Sequence, residues 1–118
     1  MFSFFRKNKK VAERVVEFSA NFDSEDVRPF LERISKHVES GFDFDQIELL
    51  CRAIASLELD QEATMEFPVC CQGQESKLEV HLFLDDTDSP DLYFWAVPGL
   101  ISHIEAEHSS FFEKDEDA

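Results

Sequence analysis

The chain has 118 residues, of which 26 are Asp or Glu and 11 are Lys or Arg, so its formal net charge is −15. A field of this sign repels nucleic acid and anionic membrane surfaces and attracts basic surfaces, so we expect neither nucleic acid nor membrane as a partner. The length is that of one domain, and 43% hydrophobic content with 13 Phe predicts a packed core.

The cysteines and the apolar runs indicate a reducing compartment. The three cysteines are Cys51 and the neighbours Cys70 and Cys71, an odd number in which two residues are adjacent, so no disulfide framework is expected. The apolar start from Met1 to Phe5 is too short for a signal peptide. No run approaches the roughly 20 apolar residues of a membrane span. We therefore expect a cytoplasmic protein.

The charge is distributed unevenly and divides the chain into three parts. Residues 1–10 contain four basic residues, three Phe and no acid, and form a basic, Phe-containing arm of charge +4, which leaves −19 for the remainder. Residues 113–118 form an acidic tail. Residues 11–112 between them are predicted to fold as a single domain.

The first element of this domain has two readings. Four apolar residues between Val11 and Phe22 are spaced as on one face of a helix, whereas apolar and polar residues alternate from Val16 to Phe22. Because β-branched and aromatic residues favour strands, the sequence predicts a strand over residues 14–22.

Two amphipathic helices follow. The first begins after a cap at Asp23 or Ser24, and Gly41 is predicted to end it. The second begins near Asp43 or Asp45, with Phe44 placed as a hydrophobic staple. The expected buried positions of the two helices are Val27, Phe30, Leu31, Ile34, Val38, Ile47, Leu50, Cys51, Ile54 and Leu57.

After Leu59 the hydrophobic period changes from that of a helix to two residues, which predicts strands. Pro68 places the first of them at an edge or a bulge, because proline has no N–H to donate. A turn is predicted over Gln72–Ser76. The three predicted strands are Ala63–Cys71, Leu78–Leu84 and Leu92–Val97.

A final helix completes the domain. Pro98 and Gly99 begin it, and Leu100, Ile101 and Ile104 mark its inward side. The element order is therefore β-α-α-β-β-β-α. This order predicts an α+β fold, a two-layer sandwich with the helices on one face of an antiparallel sheet.

Acidic residues followed by aromatic ones form the strongest candidate for an interaction surface. On the last predicted strand, Tyr93 and Trp95 face away from Phe94, and these two residue types are enriched in binding hot spots. The predicted partner-binding residues are Phe83, Asp85, Asp86, Asp88, Asp91, Tyr93 and Trp95. Intramolecular cover by the arm and self-association are the alternatives for this face.

The sequence supports metal or catalytic sites less well. His103, Glu105 and His108 lie on the final helix, and the Glu-x-x-His pair among them is half of a di-iron motif whose other half is absent from the sequence. Cys70 and His81 have the same parity on neighbouring strands, so a Cys–His pair is geometrically possible. With three glycines and no phosphate loop, we expect neither an enzyme nor a cofactor.

Together these observations predict a small acidic protein-binding domain. Its most concrete form is an immunity- or antitoxin-type inhibitor of a basic toxin such as a nuclease, because nuclease surfaces must be positive to hold phosphates. Two alternatives remain: a metal-dependent or hydrolytic enzyme that uses the His103–His108 helix, and a structural homodimer.

Overall fold

Four strands and three helices follow one another in the part of the chain that is described. The computed structural model describes residues 15–86 and 88–117, with side chains described as far as Phe112, so the predicted basic arm lies outside the described residues. The elements are β1 (Val16–Asn21), α1 (Ser24–Ser35), α2 (Phe44–Ser56), β2 (Gln61–Cys71), β3 (Gln74–Leu84), β4 (Pro90–Ala96) and α3 (Pro98–Asp117). The predicted α+β class is confirmed.

The strands form one antiparallel sheet of order β1-β4-β3-β2. The strand reading of the first element is confirmed, because β1 pairs with β4 from Val16 opposite Ala96 to Asn21 opposite Asp91. β2 is an edge strand, which is one of the two positions that Pro68 predicted. The last strand of the chain therefore lies inside the sheet, between β1 and β3.

The core combines one face of the sheet with the inward sides of the helices. Strand residues alternate between buried and partly exposed positions, as a period of two requires. The largest buried residues of the cluster are Phe22, Phe30, Leu31, Ile34, Phe42, Leu50, Leu78, Leu82, Leu92, Phe94, Leu100 and Ile104. Since each such side chain contributes about 1.5–3 kcal/mol on burial, this single cluster holds the sheet and the helices together.

The predicted helix end at Gly41 is wrong, because α1 ends at Ser35. Gly41 instead has a φ of +95°, and a Cβ atom built on it would lie 2.1 Å from the carbonyl oxygen of Pro68. The glycine is required where the loop before α2 passes directly against β2. This close approach joins residues distant in sequence, so local patterning does not reveal it.

The predicted staple at Phe44 is also wrong. Phe44 is 66% exposed, and the guanidinium of Arg28 lies 6.0 Å from its ring centroid. Phe42, which precedes the cap residue Asp43, is the buried ring, and its centroid lies 5.4 Å from that of Phe67. The N-terminus of α2 is therefore anchored two residues earlier than the sequence indicates.

The turn between β2 and β3 is shorter than the predicted Gln72–Ser76 segment. It contains only Gln72 and Gly73, both with positive φ, as in the favoured two-residue hairpin turn. The carboxylate of Glu39 accepts hydrogen bonds from the backbone N–H groups of Gln72 and Gly73, at 2.9 and 3.0 Å. Glu39 thus ties the hairpin tip to the loop after α1.

The final helix begins at Pro98, as predicted, and its backbone continues to Asp117 through most of the segment assigned to the acidic tail. Leu100, Ile101 and Ile104 are buried, and Phe111 and Phe112 pack against the core from the following turns. Among the described residues, none of the helices combines the length and the apolar character that crossing a membrane requires.

Alanine substitution at two glycines tests the contact between the Gly41 loop and β2. We expect Gly41→Ala to lower the free energy of unfolding by more than about 2 kcal/mol, because it adds a backbone clash to an unfavourable φ. Gly73→Ala is the matched control: its φ is +77° but nothing lies within 4 Å of the added Cβ, so about 1 kcal/mol is expected. Urea denaturation measures both, and equal losses would contradict the close approach.

Candidate functional site

The sheet residues that alternate with the core residues form a second face, which we call the polar face. Its residues are exposed or partly exposed in all four strands. They are Glu17, Ser19 and Asn21 of β1, Asp91, Tyr93 and Trp95 of β4, Glu75, Lys77, Glu79, His81 and Phe83 of β3, and Glu62, Thr64, Glu66, Pro68 and Cys70 of β2. Six of these side chains are carboxylates and one is a lysine, so the face complements a basic surface.

Two aromatic rings and an imidazole occupy the middle of the polar face. Tyr93 and Trp95 stand side by side, with ring centroids 6.2 Å apart and planes inclined by 16°. His81 on β3 meets both rings edge-on, at centroid distances of 5.6 Å to Tyr93 and 6.0 Å to Trp95. Such ring pairs contribute about 0.5–1.5 kcal/mol beyond their burial, so the three rings form a rigid group.

Trp95 lies between two carboxylates. The register places Glu17 of β1 opposite Trp95 on one side and Glu79 of β3 opposite it on the other. Directly opposite residues of neighbouring antiparallel strands have Cβ atoms about 4.5–5.5 Å apart. An indole flanked in this way offers a cation both a π face and carboxylate partners.

His81 is held in place by β2. Its Nδ1 atom lies 2.9 Å from the hydroxyl oxygen of Thr64, and its Nε2 atom lies 3.0 Å from a carboxylate oxygen of Glu62. Both ring nitrogens are therefore engaged, which fixes the imidazole against Tyr93 and Trp95. Sequence reasoning missed His81 as a member of this group, because its neighbours depend on the strand register.

Asp91 and Phe83 lie at the end of the polar face where β3 turns into β4. They are directly opposite each other, and Phe83 has Glu62 opposite it on its other side. Asn21 of β1 donates a hydrogen bond from its amide nitrogen to a carboxylate oxygen of Asp91, at 2.6 Å. The Asp91 carboxylate is therefore held on the polar face rather than free to rotate.

The acidic turn after Leu84 is tied to the start of α1. The backbone N–H of Asp88 donates to a carboxylate oxygen of Asp86 at 3.1 Å, and the backbone N–H of Ser24 donates to the carbonyl of Asp88 at 2.9 Å. Asp85, Asp86 and Asp88 are exposed. These carboxylates therefore stand at the end of the sheet next to Phe83 and Asp91.

The three candidate metal ligands on α3 do not converge. His103 stacks on His37, which lies just after the end of α1, with centroids 4.3 Å apart and planes inclined by 13°. Glu105 is exposed, and His108 lies among phenylalanine rings. Within residues 15–86 and 88–112, whose side chains the structure describes, no group of three or more His, Cys, Asp or Glu side chains is placed to hold a metal ion.

Glu107 joins α3 to α1. Its carboxylate is 2.7 Å from Nε2 of His37 and 3.3 Å from a guanidinium nitrogen of Arg33. The hydrogen bonds with His37 and then Arg33 lower the pKa of Glu107. Glu107, Arg33 and His37 therefore form one ionic contact between α3 and the C-terminal end of α1.

The structure does not bring Cys70 and His81 together, so the predicted Cys–His pair is wrong. Cys70 is opposite Glu75, whereas His81 is opposite Thr64. Thr64 lies six positions before Cys70 on β2, which is a distance of about 20 Å. The Cys70 thiol donates to Glu39 at 3.2 Å, and this hydrogen bond is the main reason that its pKa is raised. A thiol with a raised pKa has little thiolate, so the cysteine is not activated as a nucleophile.

Comparisons with protein-family models, with curated proteins and with solved structures give no match for this chain. The chemistry of the site is therefore argued from its geometry. The structure places four of the predicted partner-binding residues, Phe83, Asp91, Tyr93 and Trp95, on the polar face. It places the other three, all aspartates, in the turn at the end of that face.

His108 lies among the rings of four phenylalanine residues. The surrounding rings, at centroid distances of 4.7 to 5.9 Å, belong to Phe18, Phe22, Phe30 and Phe112. Burial lowers the pKa of His108. The unfolded chain therefore binds this proton more readily than the folded protein, and the fold loses stability as the pH falls below about 6.5.

Replacing His108 by phenylalanine tests this pH dependence. His108→Phe keeps a ring of similar size and removes the titrating group, so its free energy of unfolding should fall less between pH 7 and pH 5 than that of the wild type. Urea denaturation across this range measures the difference, with pH 8 as the reference. The contribution of Glu107 is lost only below about pH 4.3 and is common to both proteins. Parallel curves from pH 7 to pH 5 would contradict the assignment.

Proposed function

We propose that this protein is a small acidic binding protein that covers a basic surface of a partner protein. The most concrete form of the proposal is an immunity- or antitoxin-type inhibitor that blocks a toxin such as a nuclease. The observation that carries it is the centre of the polar face, where Trp95 lies between Glu17 and Glu79 and beside Tyr93. This is an aromatic binding group within an acidic surround.

The arrangement supports recognition of an arginine or lysine on the partner. A guanidinium stacked on the indole of Trp95 would gain a cation–π contact and two nearby carboxylates, Glu17 and Glu79. Because His81 and Tyr93 hold the indole against the sheet, little side-chain entropy is lost when a partner binds. The site is therefore preorganised for a cation.

The turn acids support fast association. Asp85, Asp86 and Asp88 are exposed beside the polar face, where they add to the negative field that a basic partner meets first. Such fields raise association rates and make them sensitive to salt. In this proposal the carboxylates steer the partner and the aromatic centre holds it.

The two alternatives have less support. Two copies docking through the polar face would bring both sets of carboxylates together, which charge repulsion opposes. An enzyme that uses the α3 helix would need His103, Glu105 and His108 to act together, and in the structure they point to different surroundings. We also infer a cytoplasmic location, in which the free thiols of all three cysteines would stay reduced.

The test is binding to the protein encoded by the neighbouring gene, produced separately and titrated by calorimetry. We expect Trp95→Ala to weaken binding at least about 30-fold, as for a central hot-spot residue. We expect Glu79→Lys to lower the association rate and to reduce its dependence on salt. If the partner is a nuclease, the wild type should also inhibit its cleavage of nucleic acid at stoichiometric concentration.

Glu32→Lys is the matched control for Glu79→Lys, since it makes the same change of charge at an exposed position on α1. Binding by this control within about threefold of the wild type is expected. Unchanged binding by Trp95→Ala would overturn the proposal. A doubled mass in light scattering that the Trp95 substitution abolishes would instead identify the polar face as a homodimer interface.

A further inference from the structure

The outer edge of β2 is closed only at one end. The backbone N–H of Cys70 donates to the carbonyl of Ser40 at 3.0 Å, and its carbonyl accepts from the N–H of Glu39 at 2.7 Å. The backbone groups of Cys70 therefore point away from β3. Because this direction alternates along a strand, the backbone groups of every second residue before Cys70 also point outward.

The open part of this edge extends from Glu62 to Glu66. Pro68 has no N–H, and Gly41 lies against its carbonyl oxygen. Further along, the outward residues are Glu62, Thr64 and Glu66, and β2 is the last strand of the sheet on this side. Within the part of the chain that is described, no strand pairs with this stretch, and the bridge of Ser40 with Cys70 is the contact that closes its far end.

The negative charge of Glu62 and Glu66 along the open edge favours some strands over others as pairing partners. A second copy, paired antiparallel about Thr64, would place Glu62 of each chain opposite Glu66 of the other. Like charges directly opposite each other destabilise an antiparallel pair. Glu62 contacts His81 through one carboxylate oxygen, and the ammonium of Lys77 lies 3.6 Å from one carboxylate oxygen of Glu66. Both side chains are still largely exposed, with 66% and 55% of their surfaces accessible, so the second oxygen of each can meet an incoming cation.

We propose that this edge accepts an extended basic segment of a partner protein as a fifth strand, antiparallel to β2. Backbone hydrogen bonds from Glu62, Thr64 and Glu66 would bind the segment, as in other cases of strand addition. Lysine or arginine residues of the segment would stand opposite Glu62 and Glu66. The inference deepens the proposed function, on which its choice of a basic partner rests.

The test uses the complete, isotopically labelled chain and a short acetylated and amidated peptide. The peptide alternates threonine and valine, with two lysines placed to face Glu62 and Glu66, and the control peptide has glutamates in their place. Amide hydrogen exchange at residues 62, 64 and 66 should slow about tenfold or more when the lysine peptide is added at low salt. The control peptide should leave it unchanged.

Thr64→Pro removes one outward N–H from the edge and leaves the β2–β3 hydrogen bonds in place, because Thr64 has the same parity as Pro68. We expect it to weaken binding of the lysine peptide about tenfold. The matched control is Thr64→Val, which also loses the hydroxyl contact with His81 but keeps the N–H, so it should bind the lysine peptide about tenfold more tightly than Thr64→Pro does. If Thr64→Pro fails to fold, a lysine peptide methylated on the amide that faces β2 makes the same test on the wild-type chain.

Strand addition is overturned if Thr64→Pro or the methylated peptide binds as well as its control, or if exchange slows elsewhere and not at residues 62, 64 and 66. The proposed function is judged separately. If Trp95→Ala abolishes binding of the neighbouring-gene product while Thr64→Pro does not, the polar face is the partner site and the edge is not. If neither substitution weakens that binding, both proposals fail.

Discussion

The alternation of side chains along β4 determines both the core of this protein and its polar face. β4 lies between β1 and β3, so its residues have strand neighbours on both sides. Leu92 and Phe94 are fully buried, while Tyr93 and Trp95 alternate with them and stand on the polar face. A shift of the pairing by one residue would exchange the two sets, so burial of the first set specifies the position of the second.

The polar face and the open edge of β2 form one continuous surface. Glu62 belongs to both, since its carboxylate contacts His81 and its backbone lies on the edge. Thr64 likewise contacts His81 from the edge strand. A partner bound through an added strand would therefore come into contact with the imidazole that supports Tyr93 and Trp95. The surface offers side-chain and backbone contacts to the same basic partner.

Hydrophobic periodicity predicted most of the secondary structure, because the faces of a helix or strand are set by neighbouring residues. The same local rule placed Tyr93 and Trp95 on one face of β4. What it could not predict depends on residues distant in sequence. The role of Gly41 depends on the approach of its loop to Pro68, and the role of His81 depends on the register of three strands. Neither role can be inferred from the residues that neighbour Gly41 or His81 in the sequence.

The stacked rings of Tyr93 and Trp95 also provide an intrinsic fluorescence probe of the polar face. Trp95 and Tyr93 are the single tryptophan and the single tyrosine of the sequence. Their rings are 6.2 Å apart on the polar face. Indole emission therefore comes from this face alone, and it changes when water is displaced from the ring or when a cation stacks on it. Occupancy of the face can be followed by fluorescence in the unmodified chain, without a label that would disturb the contacts being measured.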